Sequence, residues 1–274
     1  MLTFQTSDGL GLAYRDEGTG PAVLCLAGLT RDSNDFNEMA SGFKGVRLIR
    51  LDSRGRGQSQ WDPHWENYSA PREARDALEL LDHLGIEKTA IIGTSRGGIL
   101  AMIIAARAKH RLSAVLLNDV GPLIGKADIE GIVARLGVNP PWKTYEEAAR
   151  LYPATCEGFF NVGAERWEIE VRRLFRETDN GLAIRYDPRL RDAVTAQPDN
   201  MTPDLWPLFD AFDGLPLALL RGENSGLLSP RTAAEMRRRR PDMQFAEVRD
   251  RAHIPFLDEP ESLALIRDWA ARLS

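Results

Sequence analysis

Apolar and polar residues follow two different periods along the chain, and the two periods alternate. Continuous apolar runs, typical of strands buried on both faces, occupy residues 22–28, 46–52, 89–94 and 113–119. Apolar residues at helical spacing lie between these runs, over 71–84 and 97–108. A period of two over residues 2–6 and 11–15 precedes them and predicts a β-hairpin. Strands that alternate with helices in this way indicate a parallel sheet with crossover helices.

The alternation stops in the middle of the chain. Residues 122–213 contain few strand-like runs, and two stretches there, TYEEAARLY and AERWEIEVRRLFRET, predict amphipathic helices. Strand and helix patterns then resume, at 215–222, near 230–240, at 243–248 and from Pro260. We therefore predict an α/β fold, with a mostly parallel central sheet flanked by helices and formed by residues 1–121 and 214–274. The middle segment, 122–213, is predicted to be a helical cap inserted after the sixth strand.

The composition excludes several classes of protein. Of the 274 residues, 43% are hydrophobic and 27% are charged, as in an ordinary globular enzyme. A net charge of −5 argues against nucleic acid or an anionic membrane as a partner. Cys25 and Cys156 lie too far apart in the sequence to indicate a metal site. The first residues lack the pattern of a signal peptide, and no apolar stretch approaches the roughly 20 residues of a membrane span, so we expect a cytoplasmic monomer or homodimer.

One predicted strand ends in an unusual glycine-rich sequence. The run at 89–94 breaks at Gly93, and the chain reads GTSRGG before a helical pattern begins. A strand that enters a helix within two or three residues must turn sharply, which strains the apex and requires small neighbours. The apex here is Ser95, and such a turn directs its side chain to the sheet edge where α/β proteins bind ligands. The glycine spacing does not fit a phosphate-binding loop. Ser95 is therefore either a catalytic nucleophile or a serine without a catalytic role.

Four stretches together resemble the α/β-hydrolase-fold serine hydrolases, of the carboxylesterase or lactonase kind. They occur in that family's order, as LAGLTRDSNDF, LDSRGRGQS, GTSRGG and DRAHIPFLDEP. The resemblance implies that Ser95 is the nucleophile and that the backbone amides of Leu29 and Arg96 form the oxyanion hole. It identifies His253 as the base, and this histidine also follows the last predicted strand, at the sheet edge of Ser95. It implies no metal and no organic cofactor, and the LDSRGRGQS segment is interpreted as a structural turn.

The acid that would orient the histidine is missing from its usual place. In most members of the family an aspartate follows the stretch LRGENS, whereas here Gly226 does. One interpretation is that Asp119 replaces it, as in some relatives such as the haloalkane dehalogenases. Asp119 ends the strand that follows the helix predicted directly after Ser95. A second is that the triad is impaired, in a natural or an engineered variant. A third is that Glu223 or Asp250 reaches His253. We favour Asp119 because its strand ends at the same sheet edge.

The predicted activity is the hydrolysis of a small carboxylic ester or lactone through an acyl-enzyme intermediate. C–C bond hydrolysis, cofactor-free perhydrolysis and mere ligand binding by an impaired site stay open as alternatives. Arg31 and Arg96 could pair with a substrate carboxylate or be paired internally. Aromatic residues of the predicted cap could line an apolar pocket or only pack the cap on the core, and these are Trp142, Phe159 and Trp206.

Overall fold

The structure is a computed structural model that describes residues 1–196 and 204–273, and positions 197–203 of the predicted cap and residue 274 lie outside the described residues. Its main strands are β1 Leu2–Gln5, β2 Gly11–Gly18, β3 Ala22–Leu26, β4 Arg47–Leu51, β5 Thr89–Thr94, β6 Leu112–Asn118, β9 Leu217–Gly222 and β10 Gln244–Val248. Within the described residues they form one eight-stranded sheet in the order β1-β2-β4-β3-β5-β6-β9-β10. β2 pairs antiparallel with β1 and β4, and the other pairs are parallel. The predicted α/β class is confirmed.

Helices cover both faces of this sheet. They are α1 Asn37–Gly42, α2 Ala70–His83, α3 Arg96–Ala108, α9 Pro230–Arg239 and α10 Pro260–Ala270. The alternation of side chains along β3 shows why: Leu24 and Leu26 join the apolar layer beneath α2, α3 and α9, whereas Val23 and Cys25 join the layer beneath α1 and α10. Strands buried on both faces therefore require the continuous apolar runs seen in the sequence.

The described residues of the segment between β6 and β9 form helices and one hairpin. The helices are α4 Lys126–Arg135, α5 Tyr145–Leu151, α6 Ala164–Leu174, α7 Leu190–Thr195 and α8 Trp206–Asp210. The hairpin strands are β7 Phe175–Thr178 and β8 Gly181–Ile184, which pair antiparallel. In the part of the segment that is described, most of these elements share an apolar core of their own.

The hairpin corrects one detail of the sequence analysis. The stretch AERWEIEVRRLFRET was expected to be a single helix, but α6 ends at Leu174 and the last four residues form β7. The chain reverses at Asp179 and Asn180, and Gly181 then adopts a φ of +110°. An Asn-Gly pair between short runs is a strong hairpin signal, and it outweighs the helical spacing of the residues before it. None of the described helices is long and apolar enough to cross a membrane.

Candidate active site

A sharp turn places Ser95 at the carboxyl edge of the sheet. Ser95 has φ +49° and ψ −114°, a conformation rarely adopted by residues other than glycine. The flanking glycines make the turn possible, because a Cβ atom on Gly97 would lie 2.0 Å from the carbonyl oxygen of Leu26, and one on Gly98 would lie 2.4 Å from Val120. The backbone N–H of Ser95 donates to the carbonyl of Asn118, at 3.0 Å, which ties the turn to the end of β6. The turn thus presents the hydroxyl above β5 and β6.

His253 lies in the loop after β10 and reaches both Ser95 and Asp119. Its Nε2 atom is 2.9 Å from Oγ of Ser95, and its Nδ1 atom is 2.7 Å from Oδ2 of Asp119. The imidazole side chain is 27% exposed, whereas the carboxylate of Asp119 is fully buried. Another histidine, His83, packs against Phe4 far from this edge. The structure thus brings the three residues predicted from the sequence into one hydrogen-bonded line.

The carboxylate of Asp119 is held by the end of β9 and by the loop after it, in which the usual acid would lie. Oδ1 accepts a hydrogen bond from the backbone N–H of Gly222, at 2.9 Å, and Oδ2 accepts one from the hydroxyl of Ser225, at 2.6 Å. The backbone of Asp119 adopts a φ of +54°, and its N–H donates to the carbonyl of Leu220, at 2.9 Å. Sequence analysis missed Ser225, although its place directly before the substituted position was a signal.

The other carboxylates considered for this role are engaged elsewhere. A side-chain oxygen of Glu223 accepts from the N–H of Asp250, at 3.1 Å, and Oδ2 of Asp250 accepts from the amide of Asn161, at 2.8 Å. Gly226 lines the cavity in front of Ser95, and a Cβ atom there would meet no atom within 4 Å. The structure therefore leaves Asp119 as the acid in contact with the histidine.

Leu29 and Arg96, whose amides were predicted to form the oxyanion hole, lie in segments next to the nucleophile. Leu29 lies in the loop after β3, and Arg96 begins α3 directly after Ser95. This loop approaches closely: a Cβ atom on Gly28 would lie 3.8 Å from Cβ of Ser95. Among the described residues, no acceptor receives a hydrogen bond from the backbone N–H of Leu29 or of Arg96. Two amides beside the serine are thus available to an incoming oxygen atom.

A cavity of about 810 Å³ opens in front of Ser95. Residues of the sheet edge, of the inserted segment and of the His253 loop line it, among them Ser95, Asn118, Phe159, Trp167, Glu170 and His253. Of the predicted substrate contacts, Arg31 and Phe159 lie on its wall. Trp142 packs against Phe175 and Trp206 against Phe209, so neither tryptophan is among the lining residues. The side chain of Arg96 also does not line the cavity.

Two arginines of the cavity wall, Arg31 and Arg166, are paired with carboxylates. Arg31 lies 2.7 Å from Asp35 and 2.6 Å from Glu170, and Arg166 lies 3.2 Å from Glu170. Burial alone would raise the pKa of Glu170, but the positive charges of Arg31 and Arg166 outweigh it, so this pKa is lowered. Arg31 is therefore paired internally. Within residues 1–196 and 204–273, no group of three His, Cys, Asp or Glu side chains is placed to hold a metal ion.

Known proteins are similar to this chain over nearly its whole length. The family model described as the alpha/beta hydrolase fold matches residues 21–161. A 3-hydroxybutyrate-oligomer hydrolase of Cupriavidus necator is 34% identical, over 93% of this chain and 90% of its own length. A putative 2-succinyl-6-hydroxy-2,4-cyclohexadiene-1-carboxylate synthase of Bacillus subtilis is 34% identical, over 81% of each protein. The crystal structure of an alpha/beta hydrolase from Novosphingobium aromaticivorans has a TM-score of 0.91 and 35% identity, and the match covers 99% of this chain and 97% of that one.

Proposed function

The chain belongs to the α/β-hydrolase family, and on that premise we propose that it is a serine hydrolase of a small carboxylic ester or lactone. One observation carries the proposal: Ser95, His253 and Asp119 form a continuous hydrogen-bonded line, with distances of 2.9 and 2.7 Å. A serine hydroxyl becomes a nucleophile when a base takes its proton, and an acid on the far nitrogen fixes the tautomer and orientation of that base.

Acylation begins with the attack of Ser95 on the carbonyl carbon of the ester. Nε2 of His253 accepts the hydroxyl proton while Oγ forms the new bond. The carbonyl oxygen becomes an oxyanion, which the N–H groups of Leu29 and Arg96 stabilise. The intermediate then collapses: the bond to the alkoxy oxygen breaks, His253 returns the proton to the departing alcohol, and the acyl group stays on Ser95.

Deacylation repeats these steps with water. His253 accepts a proton from the water molecule as its oxygen adds to the acyl carbon, and the same two amides bind the new oxyanion. The bond to Oγ of Ser95 breaks, the serine takes the proton back from His253, and the carboxylic acid is released. In both half-reactions Asp119 orients the imidazole and balances the positive charge that forms on it.

The segment 122–213 is proposed to act as a cap over this site, with residues 1–121 and 214–274 as the core domain. Support comes from the cavity wall, to which Phe159 and Trp167 contribute from the segment, and Ser95 and His253 from the core. A cap of this kind excludes water from the intermediate and shapes the space for the acyl and alcohol groups.

Within the ester class, we favour an ester of a short hydroxy acid. Of the two reported relatives that are 34% identical, the one that matches 93% of this chain is a 3-hydroxybutyrate-oligomer hydrolase. The cavity volume of about 810 Å³ is within the range of roughly 300–1,000 Å³ that is typical of small-molecule sites. Its wall combines aromatic rings such as Phe159 with the pair of Arg31 and Glu170, which suits a substrate with short carbon chains and several oxygen atoms.

A substrate panel tests the proposal. Purified protein is assayed with p-nitrophenyl acetate and butyrate, the linear dimer of 3-hydroxybutyrate, γ-lactones and a vinylogous diketone. We expect hydrolysis of p-nitrophenyl butyrate and of the dimer, and covalent labelling of Ser95 by an alkyl phosphonate. The Ser95→Ala variant should lose both the turnover and the labelling.

The same panel separates the rival functions. Cleavage of the diketone without hydrolysis of the esters would assign a C–C bond hydrolase instead. Peracid formation from a carboxylic acid and hydrogen peroxide, without ester turnover, would assign a perhydrolase. If wild type and Ser95→Ala bind the dimer with equal, high affinity and neither turns it over, the protein would be assigned as a ligand-binding protein.

A further inference from the structure

The buried carboxylate of Glu73 lies between the two segments that carry the proposed oxyanion-hole amides. Glu73, on α2, is only 2% exposed. Its Oε1 atom accepts a hydrogen bond from Nη1 of Arg56, at 2.8 Å, and its Oε2 atom accepts one from Nε of Arg96, at 2.9 Å. The carboxylate thus joins two guanidinium groups that come from different parts of the chain.

The first guanidinium holds the loop after β3. Arg56 is 1% exposed, and its Nε atom donates to the backbone carbonyl of Leu29, at 2.7 Å. A second bond, from Nη1 to the carbonyl of Arg54 at 2.7 Å, fixes the same side chain to its own loop. Because a guanidinium is planar and its donors point in fixed directions, these bonds set the position of Leu29 relative to Glu73.

The second guanidinium belongs to the other oxyanion residue itself. The Arg96 side chain is 13% exposed and lies against the 1% exposed carboxylate of Glu73. Its Nη2 atom also donates to the carbonyl of Tyr68, at 3.4 Å. The first turn of α3, which carries the backbone N–H of Arg96, is therefore anchored to α2.

We propose that Glu73 is a positioning residue that fixes the two oxyanion-hole amides relative to each other through Arg56 and Arg96. The inference rests on the proposed function, since it assigns a role to those amides. Oxyanion-hole donors must lie about 2.7–3.1 Å from the place where the oxyanion forms, so a donor displaced by a few tenths of an ångström loses more stabilisation of the transition state than of the ground state. The Arg56–Glu73–Arg96 bridge connects both donor loops by bonds shorter than 3.0 Å.

The charge state of the bridge fits this role. Burial alone would raise the pKa of Glu73, but the charges of Arg56 and Arg96 and their hydrogen bonds outweigh it and lower the pKa to about 2. The carboxylate therefore stays ionised across the pH range in which a histidine-dependent hydrolase works, and both guanidinium groups keep their acceptor.

The same helix offers a matched control for a purely structural role. Asp76, also on α2, is 1% exposed and binds two arginines, Arg54 with two bonds of 2.7 Å and Arg72 at 2.7 Å. Neither of these arginines bonds to Leu29 or lines the cavity. Substitution of Asp76 removes a buried charge from the same helix, and none of the bonds of its own side chain goes to Arg56, Arg96 or Leu29.

The test compares Glu73→Gln with Asp76→Asn in the full-length protein. Steady-state kinetics with p-nitrophenyl butyrate are combined with inhibition by an alkyl trifluoromethyl ketone, whose adduct with Ser95 carries an oxyanion. We expect Glu73→Gln to lower kcat by about ten- to a hundredfold and the inhibitor affinity by a similar factor, with KM changed by less than about threefold. Asp76→Asn should leave kcat and the inhibitor affinity within about twofold of wild type, even where it lowers the melting temperature.

A second substitution keeps the inference testable if Glu73→Gln does not fold. Arg56→Lys keeps a positive charge next to Glu73 but replaces the planar fork of donors with one ammonium on a flexible stem, so it should hold Leu29 less firmly and lower kcat and inhibitor affinity together, with little change in KM. Unchanged kcat and inhibitor affinity in Glu73→Gln, or in Arg56→Lys where the first variant does not fold, would overturn the inference. So would an equal loss in Asp76→Asn. A wild-type protein without any ester turnover would instead overturn the proposed function, and the inference with it.

Discussion

Nδ1 of His253 lies 2.7 Å from Oδ2 of Asp119, although 134 positions separate the two residues in the sequence. The sheet explains the contact. Asp119 follows β6, whose neighbour is β9, the strand that precedes the usual position of the acid. Adjacent strands lie about 4.8 Å apart, so an acid can change strands and still reach the same imidazole. The end of β9 and the loop after it keep a part in the site, since the N–H of Gly222 and the hydroxyl of Ser225 donate hydrogen bonds to Asp119.

Replacement of Asp119 is expected to stop most of the turnover. In Asp119→Asn the side-chain amide cannot balance the charge on the imidazolium and favours the wrong tautomer of His253, which lowers kcat by about 10⁴-fold in a comparable triad. An alkyl phosphonate should still modify Ser95 slowly. Stopped-flow and steady-state assays with p-nitrophenyl butyrate measure the loss.

Asp250→Asn is the control for that substitution. Asp250 lies close to His253 in sequence, but its carboxylate bonds to Asn161 and not to the imidazole. We expect kcat within about twofold of wild type for this variant. Full activity in Asp119→Asn, or a larger loss in Asp250→Asn, would show that another carboxylate serves the histidine.

The buried hydroxyl of Ser225 is expected to support the acid. It donates to Oδ2 of Asp119 at 2.6 Å and accepts from the N–H of Leu228 at 3.1 Å. Ser225→Ala leaves both partners short of one hydrogen bond, and we expect kcat to fall about tenfold and the free energy of unfolding by about 2 kcal/mol. Urea unfolding and steady-state kinetics measure the two effects.

Ser229→Ala provides the comparison for Ser225. The hydroxyl of Ser229 accepts from the N–H of Thr232 at the start of α9, at 3.0 Å, and does not contact Asp119. Loss of this helix cap should lower the free energy of unfolding by about 1 kcal/mol and leave kcat unchanged. Equal effects of the two substitutions on kcat would contradict the role given to Ser225.

An aspartate restored at the usual position should bring no benefit. A Cβ atom on Gly226 meets no atom within 4 Å, so Gly226→Asp fits the backbone and places its carboxylate at the cavity. Because Nδ1 of His253 already bonds to Asp119, we expect kcat/KM for p-nitrophenyl butyrate to stay within about threefold of wild type. A gain of tenfold or more would mean that the wild-type triad is impaired.

The fold was predictable because parallel strands and their crossover helices carry strong local signals. The apolar run at 89–94 coincides with β5, and both of its faces are covered. The inserted segment gave weaker signals, because amphipathic patterns of helices and short hairpins overlap. Phe175 is buried as it would be in a helix, and only the Asn180–Gly181 turn distinguishes β7 from a continuation of α6.

A residue of the candidate site was predictable when it met two conditions. The chemistry had to restrict its residue type, and its position had to follow the end of a predicted strand. Ser95 and His253 met both conditions. Ser225 and Glu73 did not meet both, since their roles depend on side-chain directions between separate segments, such as Asp119 and Ser225, which lie 106 positions apart. A buried serine or glutamate has no sequence pattern of its own, so contacts of this kind become visible only in three dimensions.

The buried bridge of Glu73 should make stability depend on pH. The pKa of this carboxyl is about 2 in the folded chain and near 4.5 when unfolded, so its stabilising effect is present above about pH 4.5 and is lost as the pH falls towards 2. The glutamine of Glu73→Gln does not titrate. The difference between the unfolding free energies of wild type and this variant should therefore narrow by about 2 kcal/mol between pH 6 and pH 3, as measured by urea unfolding. A difference that is constant with pH would show that Arg56 and Arg96 do not hold the carboxylate in its ionised form.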